Sequence, residues 1–353
     1  MISGGGTGGH IFPALAVAQA LAELEPGAEV LYIGRRGGME EEIVPTHGLE
    51  LETISIRGIQ PEPWRNWRLP YQLPASVARA AGIIRRFRPT VVFGTGGYVV
   101  GAVGLAALLT QRPLFLMVPD AYPGKTIRAL SSRARTVFAA FETTRNYLPK
   151  GTVEVSGTPL RREFWNLPER ERTALRRLLV YGGSQGAHRL NRAVEESLKS
   201  LMEIPDLAIH HVSGRADHAD LAAFREGLPE EARARYQVVP FDADMVGRLQ
   251  EADLVVARAG GGVAEMIAVG VPMVLVPGAF AGGHQRLNAD PLVAAGAAVV
   301  VPDEELSGVR LAGEVRRLAT EPGRLAAMAG ASRAQGRPQA ALTIARTLLA
   351  ARP

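Results

Sequence analysis

ISGGGTGGHIFP, from Ile2 to Pro13, sets five glycines in the six positions Gly4 to Gly9 and then places His10 three residues before a proline. Glycines at this density let a backbone turn freely and come close to another group. The run satisfies G-x-G-x-x-G, a dinucleotide fingerprint that is weak when it stands alone. That fingerprint also needs an acidic side chain at the end of the second strand. Here the strand VLYIG from Val30 runs into Gly34-Arg35-Arg36, so the NAD reading loses its second support and only NADP stays open. The strand ahead of the glycines has only Met1 to Ser3 available to it.

The same arrangement recurs. Gly94-Thr95-Gly96-Gly97-Tyr98 follows the strand VVFG from Val91, and Gly182-Gly183-Ser184-Gln185-Gly186 follows LLVYG from Leu178. A strand, a glycine turn and a helix bring free N–H groups and the positive end of a helix onto one spot, which suits phosphate oxygens. Any one such cluster can be a plain tight turn. Three in corresponding places point to anion sites in two α/β halves.

Length and pattern agree with two halves. A chain of 353 residues fits two domains of ordinary size. Further strands are expected at Leu114, Val137 and Val153, then at Ile209, Gln237, Leu254, Met273 and Ala298, alternating with Ala- and Leu-rich helical stretches. The polar, arginine-rich Pro159–Arg176 reads as the linker. The expected domains are 1–157 and 158–335, each a doubly wound parallel sheet, facing each other across a cleft. A C-terminal amphipathic helix, broken at Gly336-Arg337-Pro338, is long enough to pack against either one.

Composition narrows the chemistry. No cysteine is present, which removes disulfides, thiolate metal sites and cysteine nucleophiles and fits a reducing compartment. The net charge is +5, and of 40 basic residues only Lys125, Lys150 and Lys199 are lysines, leaving 40 − 3 = 37 arginines. Such a balance suits anionic partners. No apolar run reaches membrane-spanning length, and no leader pattern opens the chain.

Two further elements have groups that can take sugar hydroxyls. Glu265 follows the glycine turn Arg258–Gly262; its carboxylate either serves the helix dipole or accepts both hydroxyls of a ribose. Gly282-Gly283-His284-Gln285-Arg286-Leu287-Asn288 is polar and rich in groups that read sugar hydroxyls.

Taken together, GGGTGGHIFPALAVAQAL, FGTGGYVVGAVGLAA, YGGSQGAHRLN and the block Arg258–Asn288 resemble the MurG family, in order and over nearly the whole chain. The resemblance implies a GT-B fold of two Rossmann-like domains. It also implies inverting transfer of N-acetylglucosamine from UDP-N-acetylglucosamine to an undecaprenyl-linked muramoyl-pentapeptide, with no metal cofactor required. The expected location is peripheral, on the cytoplasmic face of the plasma membrane.

Carried over by motif, Gly183, Ser184, Gln185 and Gly186 would meet the donor diphosphate and sugar. Glu265 would hold the ribose, His284 and Gln285 the N-acetylglucosamine, and Arg161 the nucleotide. Asp242 lies in the loop Phe241–Met245, which resembles the family's uracil-side loop; Asp242-Ala243-Asp244 also spells a D-x-D metal motif that belongs to a different architecture. Thr7, Gly8, Gly9, Gly96, Gly97 and Tyr98 would meet the acceptor. The chain departs from the family at Met117-Val118-Pro119-Asp120, where the family carries His-Glu-Gln-Asn. It departs again in a shortened turn before Glu265.

Sugar transfer from a diphosphate needs a base for the attacking hydroxyl. His10 is the candidate and Asp120 the second; the alternative for His10 is a loop-ordering residue beside Pro13, where the first helix is expected to start. His47, His188, His210, His211 and His218 are expected to be structural or solvated. In Gln60–Pro89, Trp64, Trp67, Tyr71, Leu73, Ile83 and Phe87 interleave with Arg85, Arg86 and other arginines. With a helix expected only from Ala75, this fits a patch on an anionic membrane surface, against the alternative of ordinary packing. Nucleic acid is not expected as a partner, since no nucleic-acid-binding module accompanies the basic residues.

Overall fold

The computed structural model describes residues 1–58, 64, 69–183, 186–278 and 283–351. The chain divides into two compact units, Met1–Trp165 with Arg337–Pro353, and Asn166–Gly336. The division falls inside the stretch read as a linker. Phe164 and Trp165 are buried, and the Trp165 indole donates to the Leu160 carbonyl at 2.7 Å.

The first unit carries β1 (Ile2–Ser3), β2 (Leu31–Arg35), β3 (Glu50–Ile54), β4 (Val92–Gly94), β5 (Leu114–Val118), β6 (Thr136–Ala139) and β7 (Val153–Val155). They form one sheet in the order β3-β2-β1-β4-β5-β6-β7, parallel at every pairing. A parallel sheet covered on both faces needs apolar side chains in both directions. Along β5, Leu114, Leu116 and Val118 enter one cluster with Ile84, Val99 and Val103, while Phe115 and Met117 enter another with Ile11, Leu15 and Ile344. Phe115 also stacks on Phe138, ring centroids 6.3 Å apart.

The second unit repeats the plan with β8 (Arg177–Tyr181), β9 (Ala208–Val212), β10 (Tyr236–Val239), β11 (Leu254–Ala257), β12 (Met273–Leu275) and β13 (Ala298–Val300). Their order is β10-β9-β8-β11-β12-β13, again all parallel. Each sheet therefore reverses its winding once, between β1 and β4 and between β8 and β11. Ligands of open α/β sheets sit beyond the strand ends at that point. All three glycine clusters, and the turn before Glu265, leave those four strands.

Several expectations change. β3 was not expected: Glu50-Leu51-Glu52-Thr53-Ile54 carries charge because it is an edge strand, with only Ile54 fully buried. The first helix runs Gly8–Leu24, so Pro13 lies inside it rather than at its start. The helix expected from Ala75 runs Leu69–Phe87 and takes in Pro70 and Pro74. Pro70 stands in the first turn, where the N–H is spare, and Pro74 forfeits one internal bond. Ile83 is buried on that helix's inner face with Phe87 packed beside it, so both belong to the core and not to a membrane patch. Trp64 is 73% exposed, Tyr71, Leu73, Arg85 and Arg86 are exposed too, and Arg86 pairs with Glu52. Trp67 lies outside the described residues.

The C-terminal segment forms two helices. Arg324–Gln335 belongs to the second unit and Ala340–Ala350 to the first, where it lies along Gly8–Leu24. Among the described residues no helix is long and apolar enough to cross a membrane.

Candidate functional site

In the first unit the loops after β1 and β4 are built into each other. Gly5 N–H donates to the Gly96 carbonyl at 3.3 Å. Gly96 and Gly97 have φ of +124° and +83°, which disfavours any side chain. A Cβ on Gly97 would stand 2.2 Å from the Gly5 oxygen, and one on Gly96 would stand 2.6 Å from Cδ2 of His10. Part of this glycine content thus serves loop on loop and makes room for an imidazole.

That imidazole is half-buried. His10 Nδ1 lies 3.1 Å from the Gly5 carbonyl and 3.4 Å from the Thr7 hydroxyl. A carbonyl only accepts, so Nδ1 carries the proton and Nε2 the lone pair. The Thr95 hydroxyl holds the His10 carbonyl at 2.6 Å. Burial pushes the His10 pKa below its usual value, opposed by the charge of Asp120, the Gly5 carbonyl and the charge of Glu40. His10 is therefore neutral at pH 7 and able to accept a proton. The position supports both readings of His10, since the ring orders the loop with one nitrogen and presents the other.

Asp120 stands just past β5, half-buried, and Met117 and Val118 before it are buried in the sheet. The Pro119 carbonyl accepts from the Thr158 hydroxyl at 3.4 Å. Thr7 and Gly9 are exposed and Gly8 half-buried; Tyr98 is 41% exposed, with its ring against Gly58, where a Cβ would meet it at 2.4 Å. Arg161 belongs to this unit, exposed, with its guanidinium 5.5 Å from the centre of the Phe164 ring.

In the second unit Gly183 has φ +91° with no described residue where a side chain would stand, and Gly186 has φ +76° against the Ser213 carbonyl. Ser184 and Gln185 lie outside the described residues. Beneath this loop, helix His188–Leu201 is fixed through Asn191, which donates to the Ser213 carbonyl at 2.8 Å and to Asp217 at 2.6 Å. Buried His211 joins Asn191 and the Tyr236 hydroxyl at 3.0 and 2.9 Å, and desolvation lowers its pKa to about 3. It is a neutral packing group. Glu265 opens the helix Val263–Val269, half-buried, with its charge felt by Tyr181 beneath. Gln285 accepts from Gly278 N–H at 2.8 Å; it and His284 are half-buried at the start of helix His284–Ala294.

The D-x-D pair has other occupations. Burial works against ionisation of Asp242, but the Arg248 guanidinium, the Asp244 N–H and His210 outweigh it and hold its carboxyl low. Asp244 caps helix Met245–Glu251 by accepting from Gly247 N–H at 3.0 Å. Among the described residues no group of His, Cys, Asp and Glu could hold a metal ion. The side chain that sequence reasoning missed is Glu40, fully buried against the first loop. Met39-Glu40-Glu41-Glu42 reads as a solvated helix start, and only the first glutamate turns inward.

Comparison with known proteins matches residues 1–139 to the glycosyltransferase family 28 N-terminal domain and residues 177–344 to its C-terminal domain. A relative from Alkalilimnicola ehrlichii, named UDP-N-acetylglucosamine–N-acetylmuramyl-(pentapeptide) pyrophosphoryl-undecaprenol N-acetylglucosamine transferase, is 41% identical over 99% of this chain and 98% of its own. The chain belongs to the MurG family of glycosyltransferases. The crystal structure of Acinetobacter baumannii MurG superposes with a TM-score of 0.81 at 30% identity, covering 99% of this chain and 98% of that one. UDP-GlcNAc 2-epimerase from Neisseria meningitidis reaches 0.68 at 14% identity, covering 99% of each chain, which shows a shared fold alone. The two-sheet architecture is thus the GT-B fold of this family.

Proposed function

We propose that the protein moves N-acetylglucosamine from UDP-N-acetylglucosamine onto the 4-hydroxyl of the muramoyl-pentapeptide carried on undecaprenyl diphosphate, inverting the anomeric centre. The donor rests on the second unit, its diphosphate on the Gly182–Gly186 loop with Ser184 and Gln185, its ribose on Glu265, its sugar toward His284 and Gln285. Asp242 and its loop stand by the uracil, and Arg161 by the nucleotide. The acceptor's diphosphate end meets the first unit at Thr7–Gly9 and Gly96–Tyr98. The hydroxyl attacks as UDP leaves, through a transition state with oxocarbenium character. UDP needs no acid to depart, only stabilisation of its growing charge, which glycine-loop N–H groups and a helix end supply. His10 takes the hydroxyl proton at Nε2, and Asp120 is the second candidate.

The observation that carries the base assignment is the pinning of His10 Nδ1 on the Gly5 carbonyl, which leaves a neutral Nε2. The reaction itself is tested with purified protein, UDP-N-acetylglucosamine and a soluble lipid I analogue. Transfer with equimolar UDP release is expected. Epimerised donor, or UDP binding without turnover, would replace this reading with an epimerase or an inactive binding relative.

The enzyme works peripherally on the cytoplasmic face of the plasma membrane, through exposed Trp64, Trp67 from the adjoining stretch, and the cations Arg85 and Arg86. Replacing Trp64 and Trp67 together with alanine is expected to weaken binding to phosphatidylglycerol vesicles by roughly ten-fold, with UDP affinity unchanged. Undiminished vesicle binding in a flotation assay would make the segment ordinary packing.

A further inference from the structure

The peptide unit joining Gly5 to Gly6 is engaged at both ends. Its carbonyl receives His10 Nδ1–H at 3.1 Å, and its N–H donates to Glu40 Oε1, also at 3.1 Å. Glu40 opens the helix Glu40–Thr46 and is fully buried. Its other oxygen, Oε2, has no hydrogen-bond partner among the described residues. Three glycines give this carboxylate its room. A Cβ on Gly5 would stand 1.8 Å from Oε1, one on Gly38 2.0 Å from Oε2, and one on Gly34 2.8 Å from the Glu40 Cβ. A buried carboxyl with a spare oxygen costs stability that an apolar side chain of like volume would avoid. Packing alone therefore gives no reason for it.

We propose that Glu40 is a positioning residue for His10, acting through the Gly5–Gly6 peptide as a chain from carboxylate to amide to imidazole. The inference rests on reading His10 as the base and deepens it. An anionic acceptor on the amide N–H polarises the amide and makes its oxygen a stronger acceptor for Nδ1–H. That bond holds the neutral ring with its lone pair on Nε2, and it steadies the imidazolium once Nε2 has taken the hydroxyl proton. A carboxylate touching histidine directly does the same in hydrolase triads; here a peptide group stands between them. The Nδ1 proton stays on Nδ1, and Glu40 gains none.

Two other titratable groups face this region. Asp120, beyond β5, favours protonation of His10 more strongly than Glu40 does. Tyr32 donates its hydroxyl to the Gly4 carbonyl at 2.9 Å and lies near Glu40.

The test is NMR of the full chain carrying 15N-labelled histidine, with His10 assigned by its absence from the His10→Ala spectrum. In the wild type the neutral His10 is expected as the Nδ1–H tautomer. Glu40→Gln keeps an oxygen for Gly6 N–H and removes the charge. Its His10 midpoint is expected at a pH lower by about 0.3 to 1, with the acid limb of kcat/KM moving alongside and KM for the donor unchanged. An Nε2–H tautomer in the wild type overturns the proposal and needs no variant to fold. An unmoved midpoint in Glu40→Gln beside an inactive His10→Ala overturns the relay alone. A fully active His10→Ala overturns the base reading, and with it any catalytic part for Glu40.

Discussion

His10→Ala is expected to lower kcat by about 10²–10⁴-fold, the range a positioned general base supplies, while leaving UDP affinity within about two-fold of wild type. The separation follows from where the parts lie. His10 belongs to the first unit, beside the loop from β4, whereas the loops proposed to hold the donor leave β8, β11 and β12. A loss confined to kcat removes something made in the transition state; a loss in donor KM as well would mean damage beyond the base. The pH profile supplies a second reading. Only neutral His10 accepts a proton, and burial depresses its pKa, so wild-type activity should hold to a pH below the ordinary histidine range before an acid limb appears. That limb should be absent from the residual activity of His10→Ala. Turnover unchanged in His10→Ala would leave His10 a loop-ordering group.

Gly96→Ala is expected to cost both stability and turnover. The residue sits at φ +124°, where an L side chain is strained by about 1–3 kcal/mol. Its new Cβ would press on His10 at 2.6 Å from Cδ2 and 2.8 Å from Nε2. The ring cannot yield freely, because Nδ1 is tied to Gly5 and the His10 carbonyl to Thr95. A misplacement of about 1 Å at a reacting atom is worth roughly 10²-fold in kcat. Gly37→Ala is the control, with φ +65° and open space around its Cβ, so it bears the backbone cost alone. Thermal melting together with kcat separates the two effects. A Gly96→Ala enzyme as active as Gly37→Ala would show that the imidazole does not need its present place.

Much of this was readable in the residues, and the gaps have physical causes. Runs such as Leu114–Val118 announce central strands because both faces are buried. Glu50–Ile54 does not, because an edge strand over solvent keeps its charges. The glycine clusters were legible as strand-end loops because glycine punctuates strand ends. What they admit was harder to read: Gly96 makes room for His10, and Gly5, Gly34 and Gly38 for Glu40. A glycine records that space is needed and not which side chain fills it. Glu40 stayed hidden for the same reason, since its sequence neighbours Glu41 and Glu42 are both exposed. The roles proposed for Ser184, Gln185 and Trp67 are read from sequence, and these residues lie outside the described ones.

The helix Ala340–Ala350 closes the first unit from the far end of the chain, and this sets an order on synthesis. The second unit is continuous, Asn166–Gly336, and is complete once its last residue has emerged. The first unit is interrupted, and Ala341, Ile344, Ala345 and Leu348 arrive only at the end to cover Gly8–Leu24. Until then the strands and helices translated first keep an uncovered apolar face, which the nascent chain carries through the making of the whole inserted unit. The elements that precede the second unit in the chain finish folding after it, and their exposed face is where aggregation or chaperone capture would begin.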